Sequence, residues 1–255
     1  VASSLFDLEG RRALVTGSSQ GIGFALAQAL GEHGARLVLN GRDPVRLGHA
    51  TEMLREKGLD VTPVAFDVTD PESVEKAVVE IEDQQGPIDI LVNNAGMQYR
   101  TPLEDFPHDR WDALLKTNIS SVFYVAQAVA RYMIARGEGR IINIASVQSE
   151  LARAGIAPYT ATKGAVRNLT RGMAADWAGK GLQINAIAPG YFKTPLNKAL
   201  IENPDFSAWL ENRTPAGRWG EVEELKGAVV FLASDAASFI NGHTLYVDGG
   251  LTVSL

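Results

Sequence analysis

The sequence predicts one α/β domain: a doubly wound parallel sheet of about seven strands, with helices on both faces. Three observations carry this. Short β-rich runs alternate with longer helical stretches along the whole chain. Most of those runs are continuously apolar, as strands buried on both faces of a parallel sheet must be. A glycine-rich turn joins the first run to the first helix, and the alternation continues through the last run near residue 247.

The strand runs are "RALVTG", "ARLVLN", "VTPVAFDV", "IDILVNNAG", "GRIINIAS", "LQINAIAPG" and "GHTLYVDGG". The helical stretches between them include "GIGFALAQALGEHG", "DPVRLGHATEMLREKG" and "DPESVEKAVVEIEDQQG". Two longer ones are "DRWDALLKTNISSVFYVAQAVARYMIARGEG" and "YTATKGAVRNLTRGMAADWAGKG". Each closes on a glycine, a common helix stop, and "DPVR" and "DPES" put aspartate before proline, a good helix start. One irregular region, "YFKTPLNKALIENPDFSAWLENRTPAGRWGEVEE", follows a strand and is rich in proline and aromatic residues. Ligands bind beyond the carboxyl ends of such strands, so residues 191–220 are a candidate substrate lid on a single domain spanning 1–255.

Composition narrows the function. The 255 residues carry a formal net charge of −6, with 45% apolar and 21% charged residues. That balance suits a globular domain and argues against a general nucleic-acid binder. Cysteine is absent, which excludes disulfides and thiolate catalysis. His33, His49, His108 and His243 have no ligand spacing, so no metal site is expected. No apolar run reaches the ~20 residues of a membrane span. "VASSLFDLEGRR" lacks the basic start and apolar stretch of a signal peptide. The expectation is a cytoplasmic protein without membrane or nucleic-acid partners.

"VTGSSQGIG" (15–23) is spaced G-x-x-x-G-x-G. Gly17 can make a tight turn; Gly21 and Gly23 let a pyrophosphate approach the positive helix N-terminus beside Gln20 and Ile22. After the second strand, an NAD-selective fold places a carboxylate against the adenosine ribose. Here Asn40 stands near that place and Arg42 follows. A guanidinium would bind a 2′-phosphate, with Ser18 adding a hydroxyl, so NADP(H) is expected over NAD(H).

These pieces, with "DV" (67–68), "NNAG" (93–96), Asn118 in "KTNIS", Ser146 in "NIAS", "YTATK" (159–163) and "PG" (189–190), resemble the short-chain dehydrogenase/reductase family in their order along the chain. The resemblance implies a Rossmann fold and hydride transfer at a CH–OH group, with Asn118, Ser146, Tyr159 and Lys163 as the catalytic set. Tyr159 and Lys163, at i and i+4, share a helix face. An unperturbed tyrosine titrates near ~10, and a nearby ammonium favours the phenolate. Tyr159 is then a usable acid/base, and Ser146 can hydrogen-bond the reacting oxygen. Lys163 also binds the nicotinamide ribose by resemblance, and Asn118 holds a water that links the lysine to solvent. The resemblance further assigns Asp67 and Val68 to the adenine, and Asn93, Ala95 and Gly96 to the adenosine ribose and central sheet. Asn93 also fits a mainly structural role. Pro189, Gly190, Phe192 and Thr194 fall near the carboxamide.

"QSEL" beside Ser146 and "RTPAGRWG" are similar to members acting on sugar acids and polyols. An anionic polyhydroxy substrate needs a cation and several polar groups. Arg100 and Arg153 are candidates for the carboxylate, and Gln148, Glu150 and Asn197 for hydroxyls. Glu150 fits beside an anion only if it bonds hydroxyls, pairs with an arginine or binds a cation. A reductase of carrier-bound oxoacyl thioesters and a non-catalytic NADP-binding regulator are the alternatives. The resemblance implies a homotetramer through the two long helices and the last strand, with apolar "LTVSL" at an interface.

Overall fold

A computed structural model describes residues 5–254. Seven parallel strands form one sheet in the order β3-β2-β1-β4-β5-β6-β7. The strands are β1 (Arg12–Val15), β2 (Arg36–Gly41), β3 (Val61–Ala65), β4 (Ile90–Asn93), β5 (Gly139–Ile144), β6 (Leu182–Pro189) and β7 (Thr244–Val247). The doubly wound expectation holds. Alternate residues feed two cores: Ala13 and Val15 join one and Leu14 the other, and Leu37 and Leu39 are likewise separated from Val38. Both faces are therefore apolar, which is why the runs read as unbroken. Pro63 sits in β3, the edge strand, where its missing N–H costs least.

Helices α1 (Gly21–Glu32), α2 (Pro44–Arg55) and α9 (Lys226–Ala233) cover one face; α3 (Pro71–Gln84), α5 (Ser121–Arg136) and α6 (Ala157–Trp177) cover the other. Asp43 caps α2 by accepting from the N–H groups of Val45 and Arg46, and Asp70 caps α3 at Glu72. Proline follows each cap, as the sequence predicts.

Two stretches depart from the expectation. The long helix after residue 108 is not continuous: α4 (His108–Leu115) passes through a wide π-turn at Lys116–Ser120 into α5. Such turns re-aim side chains beside functional sites, and here the turn carries Asn118. The region expected to be irregular holds α7 (Lys198–Ile201) and α8 (Pro204–Arg213). Its ends are pinned together: Lys193 N–H donates to Gly220 O and Gly220 N–H to Tyr191 O, both at 2.9 Å. Residues 193–219 thus leave and rejoin the body at one point.

A polar thread crosses the core between these layers. Asn93 Nδ2 donates to Asn143 Oδ1 at 2.9 Å, and Asn143 Nδ2 donates to Thr170 Oγ1 at 3.0 Å. All three side chains are buried, and Thr170 Oγ1 passes its own proton to Val166 O at 2.8 Å. Asn143→Ala removes the acceptor of the Asn93 amide and strands it. A stranded buried group costs roughly 1–3 kcal/mol. The variant is therefore expected to unfold at clearly lower denaturant concentration in equilibrium titrations; an unchanged midpoint would show that the thread contributes nothing.

Candidate active site

The strand order reverses between β1 and β4, and a crevice opens at their carboxyl ends, as the geometry of open α/β sheets requires. A cavity of about 510 Å³ occupies it. Its wall runs from Arg42 and Arg46 at one end, past the glycine turn, to Ser146, Tyr159 and Lys163, and on to Arg100, Arg153 and the 191–200 segment.

The glycine turn is built from inside. Gly17 has φ +61° and Gly21 φ +59°, the left-handed region that favours glycine. A Cβ on Gly23 would lie 2.3 Å from Asn94 Nδ2 and 2.5 Å from Gly17 O. The expectation for Gly23 was approach by a ligand; the tighter constraint is approach by Asn94. That side chain donates to Thr16 O and Gly17 O, both at 3.0 Å, and locks β4 to the turn. Asn94 was missed in the sequence, although it is the second asparagine of "NNAG". Gln20, the N-cap of α1, makes no side-chain cap bond. The first-turn N–H groups thus face the cavity without a side-chain acceptor, a ready anion site.

At the arginine end, Asn40 is committed inward. Its Oδ1 accepts from Gly17 N–H at 3.3 Å, and its Nδ2 donates to Phe66 O at 3.0 Å. Ser18 is fully buried, donates to Val15 O at 2.8 Å and accepts from Asn40 N–H at 3.0 Å. It cannot reach a phosphate; Ser19 lines the cavity instead. Asp43 accepts an ion pair from Arg46 at 3.7 Å. Exposed Arg42 pairs with no carboxylate among the described residues. Arg46, also in the wall, was not singled out in the sequence.

Several predicted residues line the wall: Gly17, Gln20, Gly21, Ile22, Gly23, Asn40, Arg42, Val68, Ala95, Gly96, Tyr159, Lys163, Pro189, Gly190, Phe192 and Thr194. Others lie behind it. Asp67 turns back to accept from the N–H and Oγ1 of Thr69, both at 2.8 Å, and Val68 and Thr69 face the cavity in its place. Asn93 belongs to the core thread described above. Asn118 is buried; its Oδ1 accepts from Met97 N–H at 2.8 Å and its Nδ2 donates to Met97 O and Thr162 Oγ1. It fastens the 94–98 segment to the start of α6.

At the floor, Ser146 follows the end of β5 and lines the cavity with Tyr159. Its Oγ accepts from Gln148 N–H at 3.2 Å. Lys163 Nζ lies 5.7 Å from the Tyr159 ring centre and donates to Ile144 O at 2.7 Å. The pair shares a helix face, as expected. The electrostatic outcome differs from the expectation. Burial pushes the Tyr159 phenol up to about 12, and repulsion from Tyr191 adds to this. The Ser146 hydroxyl and the Arg100 charge oppose the rise without reversing it. Burial also lowers Lys163 to about 8. Desolvation disfavours the charged form of each and is the largest cause of both shifts.

Of the proposed substrate contacts, Gln148 lines the cavity and offers Nε2 to the Tyr191 hydroxyl at 3.4 Å. Arg100 reaches Gln98 at 2.9 Å and Asn197 at 3.5 Å. The Arg153 guanidinium stacks 5.2 Å over the Phe206 ring. Glu150 is not in the wall; it forms an ion pair with Arg167 on α6, which removes it as a hydroxyl reader. No cluster of three metal-ligating side chains occurs among the described residues.

Residues 17–252 match a family described as "Enoyl-(Acyl carrier protein) reductase". Gluconate 5-dehydrogenase of Gluconobacter oxydans is 59% identical over 98% of both chains. The chain belongs to the short-chain dehydrogenase/reductase family. Within that family, 5-keto-D-gluconate 5-reductase of Escherichia coli K12 is 50% identical over 99% of this chain and 100% of its own. A crystal structure of a Burkholderia cenocepacia gluconate 5-dehydrogenase, in complex with NADP and tartrate, superposes with a TM-score of 0.98. Its identity is 56%, and both chains are covered completely. The short-chain dehydrogenase/reductase fold thus extends over every described element.

Proposed function

We propose that this protein is an NADP(H)-linked oxidoreductase that interconverts D-gluconate and 5-keto-D-gluconate. The observation that carries this is the convergence of Ser146, Tyr159 and Lys163 at the floor of a cavity whose far end presents an unpaired arginine. Relatives named for this reaction are 59% and 50% identical over nearly the full chain. A 56% identical neighbour holds NADP and tartrate, itself a hydroxylated acid.

The cofactor fits the residues present. The pyrophosphate takes the uncapped N-terminus of α1, and Arg42, assisted by Arg46, takes the 2′-phosphate. Asn40, spent on backbone, leaves no carboxylate there to repel it. Val68 and Thr69 face the adenine, and Pro189, Gly190 and Thr194 the carboxamide. Bound NADPH supplies a hydride at its nicotinamide. The chain supplies the rest. Ser146 hydrogen-bonds the substrate oxygen, and Tyr159 gives it a proton. A phenol held near 12 is protonated at neutral pH, so the protein alone is set for ketone reduction. For alcohol oxidation the phenol must ionise, and a positively charged oxidised nicotinamide beside it assists. Lys163 replaces the proton through its ammonium, and Asn118 keeps the 94–98 segment in place.

Arg100 and Arg153 face the substrate carboxylate, and Gln148 and Asn197 its hydroxyls. Residues 191–220 act as a lid. The enzyme works as a homotetramer. Trp111 on α4 and Phe123 on α5 are exposed in the single chain, which supports contact through these helices. In "LTVSL", Leu251 is buried within its own chain and Val253 is exposed, which leaves Val253 available to such a contact; Leu255 lies outside the described residues. Among the described residues no helix is long and apolar enough to cross a membrane, and the absence of cysteine suits the cytoplasm.

The test is absorbance of NADPH with 5-keto-D-gluconate. Wild type is expected to oxidise NADPH, and Tyr159→Phe to lose at least roughly 100-fold in kcat while binding NADPH normally. Turnover of acetoacetyl thioesters with none of the keto acid overturns the reading. Arg42→Ala should weaken NADPH by roughly tenfold or more and leave NADH nearly unchanged, as loss of a charge-assisted pair predicts; equal weakening of both would remove Arg42 from the phosphate.

A further inference from the structure

Tyr191 was not among the residues the sequence singles out, yet it stands where the two ends of the 193–219 excursion meet. Its carbonyl accepts from Gly220 N–H at 2.9 Å. Its ring packs against Phe206 of α8, with centres 5.6 Å apart, and edge-on against Trp219 at 5.9 Å. Trp219 is itself fixed, its indole N–H donating to Ser207 Oγ at 3.2 Å. The Arg153 guanidinium also lies over the Phe206 ring, 5.2 Å from its centre. One aromatic ring therefore supports both a phenol and a cation at the cavity wall.

The hydroxyl is what packing leaves unexplained. A phenylalanine would fill the aromatic nest equally well. Instead Tyr191 lines the cavity, and its oxygen accepts from Gln148 Nε2 at 3.4 Å and donates its own proton to no acceptor among the described residues. Gln148 is in turn held by Ser146 through its backbone N–H. Tyr159 and Tyr191 both line the cavity with Ser146, and Gln148 connects Tyr191 to Ser146. A polar group set beside a reacting carbon rejects substrates that cannot pair with it.

We propose that Tyr191 is a specificity-determining residue, its hydroxyl reading a substrate hydroxyl on a carbon adjacent to the one that accepts hydride. This rests on the sugar-acid reading above and adds the group that separates α-hydroxy ketones from plain ketones. The Phe206–Trp219 nest holds the ring that carries this hydroxyl.

The experiment compares 5-keto-D-gluconate with its 4-deoxy and 6-deoxy analogues, in wild type and in Tyr191→Phe, which keeps the ring and its packing. Loss of one neutral hydrogen bond predicts a fall of roughly tenfold in kcat/KM for the parent ketone. For one of the two deoxy analogues, the variant should match wild type within about twofold, since the contact is already missing. Melting temperature and the dissociation constant for NADPH, both read without turnover, should stay at wild-type values. An equal loss on the parent and both analogues would assign Tyr191 to structure alone, and no loss on any would leave its hydroxyl without a role; either result overturns the inference. Should wild type fail to reduce 5-keto-D-gluconate at all, the sugar-acid reading fails separately. The same ratio is then measured on whichever hydroxyketone it reduces and the matching deoxy compounds.

Discussion

Desolvation at the cavity floor is the constraint on which the chemistry depends. It acts on two groups of opposite charge type and drives both toward neutrality: the Tyr159 phenol rises to about 12 and the Lys163 ammonium falls to about 8. A tyrosine and a lysine one helical turn apart are, on a solvated surface, merely neighbours. Behind Ser146 and beneath the cavity they become a proton donor with a second proton close behind it. The direction of reaction then depends on what charge enters the site. A neutral reduced nicotinamide leaves the phenol protonated, as ketone reduction requires. A cationic oxidised one stabilises phenolate, as alcohol oxidation requires.

The fold fixes the members of that floor, with Lys163 buried and Tyr159 partly so. Ser146 follows the carboxyl end of β5, Tyr159 and Lys163 ride on α6, and the Ile144 carbonyl holds the lysine at 2.7 Å. Around them, amide side chains act as fasteners. Asn94 ties β4 to the glycine turn, Asn40 ties β2 to the same turn, and Asn118 ties the 94–98 segment to α6. Each is an uncharged group with a donor and an acceptor, able to pair with backbone where a charged side chain would incur a large burial cost. A sheet of short strands thereby gains a rigid rim at its carboxyl edge, where precise placement matters for catalysis.

Much of this was legible in the sequence. The strands were readable because burial on both faces leaves unbroken apolar runs, and the helix starts because Asp43 and Asp70 precede proline. The pairing of Tyr159 with Lys163 followed from helical periodicity. What escaped was whatever depends on direction in space. Ser18, Asp67 and Glu150 have the right chemistry at the right spacing, but Val15, Thr69 and Arg167 claim their side chains. The α4–α5 break was hidden because residues in a π-turn have ordinary helix propensities. Helix α9 was unread because its "AVVFLA" run is equally compatible with a buried strand. The rise of Tyr159 in the protein alone escaped because spacing reports a neighbouring charge and says nothing of how much water both groups lose.

That shift is also the most direct point of attack. Phenolate absorbance near 295 nm, followed through a pH titration of wild type minus Tyr159→Phe, isolates this one group. In the free protein Tyr159 is expected to give no phenolate below about pH 10, well past an ordinary tyrosine's onset, and to ionise at lower pH once NADP⁺ is bound. A free protein whose Tyr159 ionised below about pH 9 would contradict it, because the lysine, and not burial, would then control the phenol.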